Sequence, residues 1–193
     1  MDLPVRQFTL LSLIFLPMHS NGFPNGKVEI ACRTMMPSHD GVDAQISPSP
    51  YSLSFSSVNY TGILGFIVTL GKELPNATDF KGFMFQARAP GQITPQGTFV
   101  VTSPDAQTLT CTSTNDTVSH TSNSMKSSVS VIWLPPKKAI TNIQFRAAVV
   151  QTKPIFWINV LSDIIPLAGA GAQVLAPGPL LCSTVLAYVL FTI

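Results

Sequence analysis

Apolar and polar residues alternate with a period of two in a series of short runs between residues 23 and 162. In "SSVSVIWL", Val129, Val131 and Trp133 fall on one side of an extended chain, and the serines fall on the other. The other runs are "YSLSFSS", "GILGFIVTLG", "FKGFMFQAR", "GTFVV", "TLTCT", "NIQFRAAVVQ" and "FWINVLS", and turn residues separate them. No stretch of this region sustains an apolar helical period for three turns. The pattern therefore predicts one all-β domain, an antiparallel β-sandwich of about eight strands.

Two segments depart from this alternation. Residues 32–50 are polar and Pro-rich, which predicts an extended N-terminal loop fastened by Cys32. Residues 163–179 are small and rich in Pro and Gly, which predicts a linker that leaves the fold. We therefore place the domain at residues 23–162.

The first 22 residues have the layout of a secretory signal peptide. A short basic region at Arg6 precedes the apolar core "FTLLSLIFL", Pro17 follows it, and small residues come next. This core is too short to cross a bilayer, which takes about 20 apolar residues. We therefore expect residues 1–22 to be removed on secretion; a buried first strand or helix is the alternative.

The chain closes on an uncharged segment, residues 180–193, "LLCSTVLAYVLFTI". Small residues at Gly169, Ala170 and Gly171 precede it by about ten positions, which is typical of a GPI-attachment signal. No Lys or Arg follows the segment to hold a spanning helix in the cytoplasm. A tail-anchored helix and an uncleaved apolar end remain as alternatives.

Composition agrees with an exported protein. Charged residues make up 10% of the chain, against about a quarter in typical globular proteins, and the net charge is only +2, too weak to indicate nucleic acid. Removal of the tail would take Cys182 with it and leave an even number of cysteines, Cys32 and Cys111, in an oxidising compartment.

Three N-glycosylation sequons fall at predicted turns, where a sugar could stand in water. Their acceptor residues are Asn59, Asn76 and Asn115.

His39 and His120 are the histidines left after the predicted signal peptide. They could contact a ligand or share a metal ion, or they could be loop histidines that hydrogen bond to the backbone and hold the N-terminal segment. Only Asp40 and Asp43 are near enough in sequence to complete a metal site, so we predict none.

Trp157 alternates away from Phe156, so one of these rings could face solvent and bind a sugar ring or a partner. Packing in the core is the alternative. The chain has no Gly-x-Ser-x-Gly elbow and no complete phosphate loop. No membrane helix is predicted that could carry haem ligands. We therefore predict a non-catalytic protein without a cofactor.

Several motifs, in order, resemble a known family. "FPNGKVEIACRTMMPSH", "YTGILGFIVTL", "FKGFMFQAR", "GTFVV…QTLTC", "VSHTSNSMKSSVSVIWLPP" and "IQFRAAVVQTKPIFWINV" are similar to successive segments of the reeler (reelin N-terminal-type) domain. The resemblance covers residues 23–162. It implies an immunoglobulin-like sandwich with one disulfide, which carries over as Cys32–Cys111.

The resemblance also implies an extracellular setting, and the family occurs in three. These are large matrix proteins, ferric-chelate-reductase-like membrane proteins, and short secreted defence proteins of insects. The layout is most similar to the last group, so we expect a secreted or surface-anchored recognition module that binds microbial glycans or lipids. A matrix, adhesion or receptor-contact domain with an extracellular protein ligand is the alternative, and a reeler-only relative of the reductases without haem domains is a third.

Overall fold

The computed structural model describes residues 23–39 and 41–167. The predicted signal peptide, the predicted attachment residues Gly169, Ala170 and Gly171, and the apolar tail with Cys182 lie outside the described residues. Within them, a 3-10 turn at Glu29–Ala31 precedes nine strands. The strands are β1 (Tyr51–Tyr60), β2 (Ile63–Lys72), β3 (Gly82–Arg88), β4 (Thr98–Val100), β5 (Ala106–Leu109), β6 (Thr117–His120), β7 (Ser128–Leu134), β8 (Asn142–Thr152) and β9 (Ile155–Pro166).

The strands form two sheets, one of four strands in the order β1-β2-β7-β4 and one of five in the order β5-β6-β3-β8-β9. All neighbouring strands run antiparallel. The predicted all-β sandwich is therefore confirmed. No helix among residues 23–39 and 41–167 is long and apolar enough to cross a membrane.

The structure has one strand more than the eight that the sequence pattern predicts. The additional strand is β6, which lies in a segment expected to be a turn, "STNDTVSHTSNS". Thr117, Val118 and Ser119 pair with β3 on one side and with β5 on the other. The run is short, and every position in it that pairs with β3 is buried, so it shows no alternation that a sequence pattern could detect.

The alternation in β7 is confirmed in the core between the sheets. Val129, Val131 and Trp133 are buried, whereas Ser128 and Ser130 are exposed. The Trp133 ring meets the Phe145 ring edge-on at a centroid distance of 5.6 Å, and its indole N–H donates to the Gln96 carbonyl at 2.8 Å. The largest fully buried side chain therefore has its one polar atom paired.

Every residue of strand β3 is buried, so the strand is covered on both faces. Its aromatic residues face the core between the sheets, and Met84, Gln86 and Arg88 point to the opposite face. Residues 23–39, which we call the N-terminal strap, cover that opposite face. Met35 of the strap packs there with Met84, Leu109 and Ala148 in a second apolar cluster.

Strand β9 continues past the predicted domain boundary at Ser162 and ends at Pro166. Ile143 of β8 pairs with Ile165, and Asn142 pairs with Pro166. The Ile165 side chain is buried, so the segment "DIIP" completes the sheet, and the predicted linker can begin only after it.

Candidate functional site

The strap is covalently tied to the five-stranded sheet. A disulfide joins Cys32 to Cys111, just after β5, with their Cα atoms 5.5 Å apart. The pairing implied by the resemblance is therefore confirmed. Buried Asp116 fixes the Cys111 side of the bridge, because its carboxylate accepts hydrogen bonds from the Cys111, Thr112 and Ser113 amides at 2.9, 2.7 and 2.6 Å.

Two buried polar residues of β3 hold the strap backbone beside the disulfide. Gln86 Nε2 donates to the Cys32 carbonyl at 3.1 Å and to Thr117 Oγ1 at 2.9 Å. Arg88 Nη2 donates to the Cys32 and Arg33 carbonyls at 3.0 and 3.1 Å, and its Nε donates to Gln86 Oε1 at 2.7 Å. Buried polar groups require such partners, so these side chains specify where the strap crosses the sheet.

The guanidinium of Arg88 is charged although it is buried. Burial, and then the nearby charge of Arg146, lower the pKa of Arg88 to about 10. This value is still well above neutral pH, so the side chain acts there as a cationic donor to carbonyl oxygens.

A second set of contacts holds the start of the strap at the end of β6. Nε2 of His120 lies 3.3 Å from the Phe23 carbonyl oxygen, and Nδ1 lies 3.1 Å from the Phe83 carbonyl oxygen. Gln107 Nε2 donates to the Asn25 carbonyl and to the His120 carbonyl. Burial lowers the pKa of His120, although the carbonyl groups of Phe83 and Phe23 act to raise it.

Gly26 allows the strap to approach β6 so closely. Its φ is +68°, and a Cβ at this position would collide with the His120 carbonyl. Only glycine meets both conditions without strain. Gly26 of the strap is therefore a structural requirement of this contact.

A cavity of about 410 Å³ lies between the strap and the five-stranded sheet, and we call it the strap cavity. Met84, Ala148 and Val150 line it from the sheet, and Val28 and Met35 line it from the strap. Its polar lining residues are His39, His120, Lys81, Lys153, Asn123, Thr34, Ser38 and Thr152. A mainly apolar cavity with a few polar groups is the usual form of a small-molecule site.

His39 and His120, the two candidate ligand residues of the sequence analysis, thus both line the strap cavity. The His39 ring also meets the Phe156 ring edge-on, at a centroid distance of 5.1 Å. Among the residues that the structure describes, no group of three His, Cys, Asp or Glu side chains could hold a metal ion.

Trp157 lies in the core between the sheets, so its ring packs against other side chains and does not face solvent. Its indole N–H donates to the Ser47 carbonyl at 3.2 Å, and its ring meets Tyr51 edge-on. Phe156 is buried as well, beneath His39. Neither ring offers a surface to a sugar or a partner.

The three sequons differ in exposure. Asn59, at the end of β1, and Asn76, in the loop after β2, are exposed. Asn115 is half-buried with φ at +58°, and its Oδ1 accepts a hydrogen bond from Thr108 Oγ1 at 2.8 Å.

The sequence-based interpretation missed Gln86 and Arg88. The signal was present in "FKGFMFQAR", where Met84, Gln86 and Arg88 alternate with Phe83, Phe85 and Ala87. On its own, however, that alternation is typical of a strand with one solvated face. Nothing local to β3 shows that a distant segment covers the polar face.

Comparison with known proteins agrees with this architecture. The family model described as "Reeler domain" matches residues 30–172. "Defense protein l(2)34Fc" of Drosophila melanogaster is 34% identical over 164 residues, which are 82% of this chain and 97% of that protein. "Ferric-chelate reductase 1" of Mus musculus is 31% identical over 169 residues, which are 86% of this chain but 27% of the reductase.

The crystal structure of the human F-spondin reeler domain superposes with a TM-score of 0.51 at 17% identity. It covers 65% of this chain and 94% of the spondin fragment. At this identity the likeness supports the fold alone.

Proposed function

The chain belongs to the Reeler domain family, and from that premise we propose that it is a non-catalytic recognition module of innate defence that binds surface components of microbes. An extracellular setting agrees with the defence-protein and ferric-chelate-reductase relatives of this domain. Beyond that setting, we propose a microbial ligand and the absence of catalysis.

The strap cavity is the observation that carries this proposal. It is preformed, mainly apolar, and closed on one side by a segment that a disulfide fixes in place. A binding module needs such a site, because a preordered cavity loses little conformational entropy when a ligand enters. The defence-protein relative supports the biological setting, since the match covers 97% of its length.

We also propose that the protein is exported through residues 1–22 and anchored by a GPI group attached near Gly169, Ala170 or Gly171. Exposed Asn59 and Asn76 are suitable acceptors for glycans on the exported protein. Treatment of expressing cells with a phosphatidylinositol-specific phospholipase should release the protein into the medium. Retention after complete cleavage of a known GPI-anchored control would contradict the anchor.

Retention of the protein on bacterial cell-wall and membrane fractions tests the main proposal. We expect retention above that of an unrelated β-sandwich of similar charge. Equal retention of the two proteins would exclude microbial binding. Attachment to host cells that survives enzymatic removal of glycans would instead favour an adhesion or receptor-contact role.

The ferric-chelate reductase relative favours a second candidate function. This chain spans about a quarter of that protein, so it could serve as an accessory domain that contacts a haem-carrying membrane partner. Cells that express the chain should then reduce ferric chelates faster than control cells. An unchanged rate would remove this candidate.

A further inference from the structure

We propose that the strap cavity binds one acyl chain of an amphiphile and that Lys81 attracts the anionic head group of that amphiphile at the cavity mouth. This inference deepens the proposed function by naming the class of ligand, and it rests on that function only for the microbial source.

The cavity lining fits a hydrocarbon chain better than a sugar. Its floor is Met84, Ala148 and Val150, and the wall formed by the strap includes Val28 and Met35. None of these five side chains can donate a hydrogen bond, so a sugar hydroxyl placed against them would remain unpaired at a cost of a few kcal/mol. Methionine side chains adapt their shape to a flexible guest, which a linear chain requires.

The rim of the cavity is also apolar, although it faces solvent. Phe23, Ile30 and Met36 line the cavity and are 41%, 84% and 41% exposed. Apolar side chains gathered at the mouth of an apolar cavity are typical of a binding site. A chain entering between them would bury the rim and the floor together.

The size of the cavity suits a single chain. A volume of about 410 Å³ lies toward the lower end of the range of about 300–1,000 Å³ that is usual for ligand sites. The disulfide at Cys32 and the contacts at Phe23 fix the strap at two separate points, so the space between strap and sheet is bounded. A ligand with several chains would have to leave some of them outside.

Charge at the mouth selects the head group. Lys81 and Lys153 line the cavity, and none of the described lining residues is an Asp or a Glu. Lys81 lies on the chain just before β3, is exposed, and makes no side-chain hydrogen bond or ion pair within the described residues. Its ammonium group is therefore available to form an ion pair with a carboxylate or phosphate. An uncharged head group could not form that ion pair.

Displacement of the fluorescent fatty acid cis-parinaric acid tests this inference on the whole exported protein. Competitors with equal twelve-carbon chains are laurate, dodecyl phosphate and dodecyl maltoside. We expect the two anionic compounds to displace the probe at least fivefold better than the neutral maltoside. Equal displacement by all three would overturn the role of Lys81, and no binding of the probe would overturn the acyl site.

Two variants locate the binding. Val150→Trp fills the cavity from the sheet and should weaken probe binding at least tenfold. Val100→Trp is the matched control, because Val100 is also a half-buried strand valine but lies in the other sheet, and it should bind normally. Lys81→Gln should weaken laurate severalfold and leave dodecyl maltoside unchanged. Normal probe binding by a folded Val150→Trp protein would place the chain elsewhere and refute the inference.

Lipoteichoic acid, lipid A and free fatty acid, used as separate competitors, distinguish microbial from host sources of the same chemistry. Retention on bacterial fractions that is unaffected by Val150→Trp would refute the acyl site and leave the proposed function standing. Probe binding without any retention on bacterial fractions would support the acyl site and refute microbial binding.

Discussion

Replacement of Gln86 by leucine tests whether the buried contacts of β3 hold the strap in place. The side chain is completely buried, and Leu has a similar size, so the change removes hydrogen bonds without creating a large cavity. Four contacts are lost: the donations to the Cys32 carbonyl, to Thr117 Oγ1 and, more weakly at 3.5 Å, to Cys111 Sγ, and the acceptance from Arg88 Nε.

The magnitude follows from the kind of each contact. A neutral hydrogen bond contributes about 0.5–1.5 kcal/mol and a charge-assisted one about 1.5–3 kcal/mol. The Cys32 carbonyl retains its bond from Arg88 Nη2, whereas Arg88 Nε is left buried without its partner. Allowing for the apolar surface that Leu buries, we expect the free energy of unfolding to fall by about 3 kcal/mol.

Urea unfolding, followed by intrinsic tryptophan fluorescence, measures this loss. For a domain of this size, about 3 kcal/mol corresponds to a decrease in Tm of roughly 10 °C. The control is Gln92→Leu, because Gln92 is exposed in the loop after β3, and its effect should stay within about 0.5 kcal/mol. A loss below about 1 kcal/mol for Gln86→Leu would show that these contacts do not hold the strap.

Three further predictions concern the strap and the core. Replacing Cys32 and Cys111 together by serine opens a loop with a sequence separation of 79 and should lower the free energy of unfolding in urea by about 4 kcal/mol. A decrease of less than about 1 kcal/mol would show that the disulfide contributes little to stability. Gly97→Ala should lower the free energy of unfolding by about 2–4 kcal/mol, because a Cβ there would collide with the core tryptophan Trp133. Gly91 has the same φ of +75° but open space around it, so the control Gly91→Ala should lower the free energy of unfolding by only about 1 kcal/mol. Burial lowers the pKa of His120, so between its unfolded and folded pKa values the unfolded chain binds the extra proton. The free energy of unfolding should therefore fall as pH drops below about 6.5, and His120→Gln should flatten that dependence in a series of denaturation curves.

The sandwich could be predicted from the sequence because its core depends on local alternation. A strand with one buried face places apolar residues at every second position. The alternation in β7 and β3 therefore indicates that the valines of β7 and the aromatic residues of β3 face the core. The disulfide pairing required more than alternation, since it joins residues far apart in the chain, and only the resemblance implied it.

The strap and its cavity could not be predicted in this way, because they depend on contacts between distant segments. Residues 32–50 are polar and without period, so the sequence predicts a loop and says nothing of where that loop lies. Met84 and Ala148 look like ordinary residues of a solvated sheet face until Met35 covers them. The strand β6 was missed for a related reason, because its stability comes from neighbours on both sides.

The buried polar residues of β3 and the cavity follow from one arrangement. A segment that crosses a sheet without pairing to it buries some of its own carbonyl groups, and each of these needs a donor. Gln86 and Arg88 supply donors at Cys32, and Gln107 supplies one at Asn25. Between these two anchored points Val28, Ile30 and Ala31 line the strap cavity, and none of these three side chains can supply a further hydrogen bond. A substitution at Val150 therefore changes the cavity without removing an anchor, which is why binding and stability can be separated by experiment.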